Sequence, residues 1–282
     1  MKRLAILLLL LPRLALAQTS ALIQPIAAAP QTVLATPAAP SKEPIVIEAA
    51  GSLVWQQSDK TYHAIGDASA TRGALNIKAD ELIAHYVEEN GQNQIQFLEA
   101  NGHVVINDNG AIAVAPHAQY NTVTGDMDLT GQNLKITTAK NETLSANQQI
   151  QFNDKSGKAL AIGAPIMTRP DRKLSADRLD GQFIKDETGN WTLQTGNAIG
   201  HVITTSGIGT VNPSISVSDT GFYDAAHGTA LLTGNVKLSR GQNQMNGDRA
   251  EINMNTGESR LLPSTSPNSP DHRVRAILYQ NK

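Results

Sequence analysis

The residues with the chemistry to act here are seven histidines and a few close carboxylate pairs. His63, His85, His103, His117, His201, His227 and His272 are scattered along the chain. His63 with Asp67, or His103 with Asp108, would supply two ligands to a metal. A zinc site draws on three or four convergent N or S donors, and the chain has no cysteine. The expectation is therefore histidines facing solvent, and no metal or cofactor. Asp80/Glu81, Asp126/Asp128 and Asp177/Asp180 are the carboxylate pairs. A glycosidase holds two carboxylates roughly 5–10 Å apart in one cleft. Asp80 and Asp177, however, occupy equivalent places in a repeated element, so one turn role accounts for both. No Gly-x-Ser-x-Gly, His-Glu-x-x-His or phosphate loop is present. Ser206-Gly207-Ile208-Gly209-Thr210 reads as a loop between strands. No catalytic residue is assigned.

The elements that would position any site come from a weak repeat. Gly66, Gly102, Gly131, Gly163, Gly196 and Gly234 each sit in a short small-residue turn, 29 to 38 residues apart. A period of that size signals one supersecondary unit stacked on copies of itself. Such an array favours an extended surface over a compact pocket. A second element recurs within each unit, as in Lys78-Ala79-Asp80-Glu81-Leu82, Ser175-Ala176-Asp177-Arg178-Leu179 and Asn246-Gly247-Asp248-Arg249-Ala250. A small residue followed by Asp suits a tight bend between strands.

Around these bends apolar residues recur at every second position, the period of a strand. Ile95/Phe97, Val104/Ile106, Ile112/Val114, Leu134/Ile136, Ile150/Phe152 and Val236/Leu238 are such pairs. Ile77, Leu193 and Ile252 belong to others, and Leu82 and Leu174 complete the set expected to face inward. Asn76, Gln96, Gln151 and Asn253 alternate with them and are expected to face water. Ile215/Val217 has the same pattern. Small residues, among them Ala79, Ala84, Ala113, Ala115, Ala146 and Ala176, are also expected inside. The result is an all-β chain with almost no helix. Its interior is either a packed core or an apolar trough between splayed sheets; small inward residues favour the trough.

Residues 1–17 have a charged start, an apolar run from Leu4 to Leu11 and the small residues Ala15-Leu16-Ala17, the pattern of a cleaved secretory signal peptide. Residues 18–44 are rich in Ala, Pro, Gln, Thr and Ser and read as a disordered linker. The body is expected over 45–263, and 264–282 as a flexible tail. The formal net charge of −2 and 4% aromatic content argue against a nucleic-acid surface, which needs a basic stripe and stacking platforms.

Gly66-Asp67-Ala68, Ile77-Lys78-Ala79-Asp80-Glu81-Leu82 and Ala100-Asn101-Gly102-His103-Val104-Val105-Ile106 resemble the OstA-like/LptA family of lipopolysaccharide transport. So does the stretch from Leu232 to Leu262, with Leu232-Thr233-Gly234-Asn235-Val236 and Met245-Asn246-Gly247-Asp248-Arg249-Ala250. The resemblance spans about 45–262. It implies an elongated, twisted β-jelly-roll, taco-like and open along one side. It further implies a non-enzymatic periplasmic bridge that shields lipopolysaccharide acyl chains against the inward residues named above. LptC-like inner-membrane and LptD-like outer-membrane partners would meet its sheet edges, and copies would stack head to tail. Lys78, Lys135, Lys237 and Arg240 are either contacts for lipid phosphates or ordinary solvated cations. The competing functional classes are an exported structural or adhesive β-solenoid with a packed interior and a glycan-active enzyme using Asp80 and Asp177.

Overall fold

The computed structural model describes residues 44–89, 91–187, 189, 191–263 and 273–279. The expected signal peptide, nearly all of the expected linker and most of the expected tail lie outside these residues.

Among the described residues every regular element is a strand. In chain order they are β1 (Val46–Glu48), β2 (Ser52–Gln56), β3 (Thr61–Arg72), β4 (Leu75–Glu89), β5 (Gln92–Asp108), β6 (Ala111–Asn121), β7 (Asp126–Thr130), β8 (Leu134–Thr137), β9 (Thr143–Ala146) and β10 (Gln149–Asn153). There follow β11 (Lys158–Ile162), β12 (Ile166–Arg169), β13 (Arg172–Ser175), β14 (Arg178–Lys185), β15 (Trp191–Ser206), β16 (Ser214–Asp224), β17 (Thr229–Arg240), β18 (Asn243–Asn253), β19 (Ser259–Leu262) and β20 (Arg275–Ile277). All pairings are antiparallel and join one continuous sheet. β20 pairs with β18, so residues 275–277 of the expected flexible tail are part of the body.

The pairings sort into two rows. One runs β2-β3-β4-β5-β6-β7-β10-β11-β14-β15-β16-β17-β18-β19; the other runs β1-β3-β4-β5-β6-β8-β9-β12-β13-β15-β16-β17-β18-β20. The long strands β3–β6 and β15–β18 contribute one half to each row. Between β6 and β15 separate short strands fill the rows, so the pairings there form a closed circuit. In this the chain departs from the expected jelly-roll: it proceeds as a creased meander.

The crease is made by bulges. Register shifts interrupt the long-strand pairings at Ile65/Ala68, Lys78/Glu81, Asn101/Val104, Ile199/Val202, Val217/Thr220 and Thr233/Val236. A bulge adds a residue to one strand and bends it. Gly66, Gly102, Gly163, Gly200 and Gly234 all have φ between 74° and 93°, and the residue after each is also left-handed. Glycine adopts that region without the Cβ penalty. The repeat glycines are therefore crease residues. The fifth is Gly200 and not Gly196, which has ordinary φ and sits within a regular part of β15. The Asp elements are not hairpin turns either. Asp80 lies inside β4, opposite the Gly102 bulge.

Inside the crease the rows face each other. Leu82, Val104, Ile106, Leu129, Leu134, Val202 and Val236 are buried. One apolar cluster extends from Ala64 to Val202, with smaller clusters around Phe152/Trp191 and Leu232/Ala250.

Candidate functional site

The candidate site is the interior between the rows. Inward positions follow the two-residue strand period until a bulge resets the phase. Ile77, Leu82, Val104, Ile106, Leu134, Ile136, Ile150, Phe152, Leu193, Val236 and Leu238 are all buried. Ile95, Leu174 and Ile252 are half-buried and pack against the core clusters.

Three expected lining residues face the other way. Ile112 is 43% exposed and Val114 38% exposed. Their neighbours Ala111, Ala113 and Ala115 are buried instead, because Ala113 is the residue that pairs with inward Ile106 and Ile136. Adjacent strand residues cannot share a face, and here the alanines hold the inside. Phe97 is the third. An irregularity between His85 and Tyr86 puts Leu98 and Ile95, not Phe97, inward. The Phe97 ring tilts against His85, with centroids 5.7 Å apart. Ile215 and Val217 are also exposed.

Sequence reasoning missed much of the central lining. An apolar cavity of about 170 Å³ lies between the rows, lined by Met127, Leu129, Leu144, Met167, Leu179 and Val202 alongside the expected Ile136, Ile150, Phe152, Leu174 and Leu193. Met127/Leu129 and Leu144/Ala146 carry the alternation in very short strands, and that was their signal. Gly181, Gly196 and Gly221 line the same cavity.

The cations also fall differently. Lys78, Lys135, Lys237 and Arg240 are exposed. The first three alternate with buried residues and so point outward. Inward-parity cations stand instead at the free margin opposite the crease, where hairpin ends of the two rows face one another. Arg72 ends β3, and Arg169 and Arg172 close the β12–β13 hairpin. Arg169 Nε lies 3.1 Å from Glu142 Oε1, both side chains being nearly buried. Burial, opposed by Glu142, holds its basicity below the usual arginine level. Across the margin stand Tyr120 and Tyr223. Burial raises the pKa of each phenol, and Tyr120 donates a hydrogen bond to Asp154 at 3.2 Å.

Two histidines mark the outside of the crease. His103 and His201 Nδ1 lie 2.8 Å from Asp80 and Asp177 Oδ2 respectively. The Asp177 hydrogen bond raises the His201 pKa. His103 thus meets Asp80, not Asp108, and His63 lies 3.9 Å from Glu81. Among the described residues no three His, Asp or Glu side chains are grouped to hold a metal. Asp80 and Asp177 each make the same crease contact to a histidine, so a structural role accounts for both.

A family model described as the LptA/(LptD N-terminal domain) LPS transport protein matches residues 47–158 and again 143–258. Among solved structures, the chain is similar to LptH, described as the LptA homologous periplasmic component of the conserved lipopolysaccharide transport device from Pseudomonas aeruginosa. The identity is 15%, covering 49% of this chain and 95% of that one, with a TM-score of 0.42. No curated protein matches.

Proposed function

The chain belongs to the LptA/LptD N-terminal family of lipopolysaccharide transport proteins, and on that premise we propose that it is a non-enzymatic periplasmic bridge that carries lipopolysaccharide acyl chains between its two rows of strands. The observation that carries this reading is the apolar cavity lined from both rows. Each CH₂ left in water costs about 0.8 kcal/mol, so a multi-chain lipid needs such a shield in an aqueous compartment. A cavity of about 170 Å³ is smaller than the roughly 300–1,000 Å³ of typical ligand sites. In this reading the rows part at the free margin to admit the chains. There, among the described residues, no strand pairing ties one hairpin end to the other.

The ends of the sheet suit assembly. Among the described residues, β1 and β2 pair only with β3, and β19 and β20 only with β18. Unpaired edges are normally a liability; in this reading they accept a strand from an LptC-like protein, an LptD-like protein or a second copy.

A photo-crosslinking side chain at Ile106 or Phe152 is expected to trap lipopolysaccharide, and one at outward Asn76 is not. Crosslinks confined to Asn76 would sink the reading. The alternative, a structural β-solenoid with a packed interior, draws support from the N-terminal part. There the space beneath Leu75, Leu98 and Tyr120 is only about 10 Å³. Purification without any bound lipid, and no crosslinks at either interior site, would favour it.

A further inference from the structure

The two family matches point to an internal duplication, and the residues bear it out. Thr71-Arg72 and Ala79-Asp80-Glu81-Leu82 recur as Thr168-Arg169 and Ala176-Asp177-Arg178-Leu179 at a constant offset, followed by Gly102-His103-Val104 and Gly200-His201-Val202. The pairings agree. Arg72 faces Leu75 across its hairpin as Arg169 faces Arg172. Asn76 pairs with Asn107 as Lys173 pairs with Thr205, so Asp108 and Ser206 hold equivalent places. Tyr120 lies opposite Leu98 as Tyr223 lies opposite Gly196.

The copies differ at the free margin. In the first, Leu75 and Tyr120 pack against the core beside Arg72, and the buried carboxylate of Asp108 stands by. In the second, Leu75 is replaced by Arg172 and Asp108 by Ser206. Leu98 gives way to Gly196, which lines the cavity next to Tyr223. Here a cation has been added and a carboxylate removed, beside a space that lost a side chain.

Four donors at this place are buried without a hydrogen-bond partner: Arg169 Nε and Nη2, Arg172 Nη1 and Tyr223 Oη. Buried polar groups are nearly always satisfied, and an unmade charged bond is expensive. The carboxylates nearby each face another group. Glu142 faces Arg169 Nε, and Asp171 Oδ2 lies 3.3 Å from Arg172 Nε. Asp224, the other nearby carboxylate, is held by His227 at 2.7 Å.

We propose that Arg169, Arg172 and Tyr223 form a binding site for a phosphate monoester at the margin of the cavity, so that a lipid whose chains lie inside is held by its phosphate at the rim. Two guanidinium groups suit a phosphate, which accepts paired N–H bonds from their planar forks. The lipid part of the assignment rests on the transport reading above; the anion site does not.

The test uses the full chain and three probes: phosphorylated lipopolysaccharide, the same lipid after phosphatase treatment, and inorganic phosphate. Wild type is expected to bind the phosphorylated lipid at least about tenfold more tightly than the dephosphorylated one. Arg172→Leu, which restores the residue of the first copy, and the isosteric Tyr223→Phe should shrink that ratio toward one. The loss should fall on the phosphorylated lipid. A ratio near one in wild type, or one unchanged in both variants, overturns the site while leaving the carrier reading intact. Binding of neither lipid together with Arg172-dependent binding of inorganic phosphate supports the anion site, assigns it to free phosphate and sinks the carrier reading instead.

Discussion

His201 Nδ1 lies 2.8 Å from Asp177 Oδ2, and that oxygen is also 2.1 Å from where a Cβ on Gly200 would stand. The carboxylate lies over the bare Cα of the bulge and is held there by the next residue's ring. Asp80, Gly102 and His103 repeat the arrangement with the same distances. Gly200→Ala meets both the clash and the φ of +75°, and should cost about 1–3 kcal/mol. At Gly196 a Cβ meets nothing closer than 3.6 Å and φ is ordinary. Gly196→Ala should be neutral or stabilise by up to about 1 kcal/mol. Urea denaturation of the two variants separates a crease glycine from a cavity glycine; equal losses would refute the assignment.

The strand period, the family resemblance and the existence of a glycine-anchored unit were all legible in the residues. What was not legible was the phase. Gly196 and Gly200 are both preceded by small or apolar residues, and only the bulge between Ile199 and Val202 tells which one bends the chain. The same ambiguity placed Ile112 and Val114 inside along with Ala113 and Ala115. A larger side chain looks like core, yet β6 is packed between neighbours whose own inward residues leave room only for alanine. The longer duplication was present in the sequence as the recurring Thr-Arg and Ala-Asp-x-Leu elements. The shorter glycine period is superimposed on it.

Leu134 and Ile112 face opposite ways, and their truncation costs should be unequal. Leu134 is fully buried and Ile112 is 43% exposed. Leu134→Ala should lose about 2–5 kcal/mol, and Ile112→Ala less than about 1 kcal/mol. Chemical denaturation midpoints at constant m-value give the comparison. Similar losses at both positions would restore Ile112 to the interior.

Asp108 makes stability depend on pH. Its side chain is 2% exposed, and burial, partly offset by a hydrogen bond from Asn109, raises its pKa from 3.8 to about 6. The folded chain therefore binds this proton more tightly than the unfolded one. As pH rises from about 4 to about 6 the unfolded state ionises first, so stability falls across that window and levels off above it. Asp108→Asn should remove this decline. Unfolding free energies of both proteins from urea titrations between pH 4 and pH 7 should converge at the acid end and diverge by roughly 2–3 kcal/mol above pH 6. Parallel pH profiles would show that Asp108 does not titrate there.

If the margin of the second copy is built to hold a phosphate, it carries a stability cost in the unliganded chain. Arg172 Nη1 is buried without a partner, and leaving such a donor unmade costs about 1–3 kcal/mol. The pair it makes with Asp171 is on the surface and returns about 0–1 kcal/mol. Leucine occupies the equivalent place in the first copy and packs against the core there. Arg172→Leu should accordingly raise the stability of the unliganded protein by about 1 kcal/mol while weakening its preference for phosphorylated lipid. A variant that gains stability and loses that preference identifies Arg172 as a residue kept for binding at the expense of folding. One that loses stability instead shows that the guanidinium is satisfied within the fold, and the two outcomes are distinguished by a single urea titration without ligand.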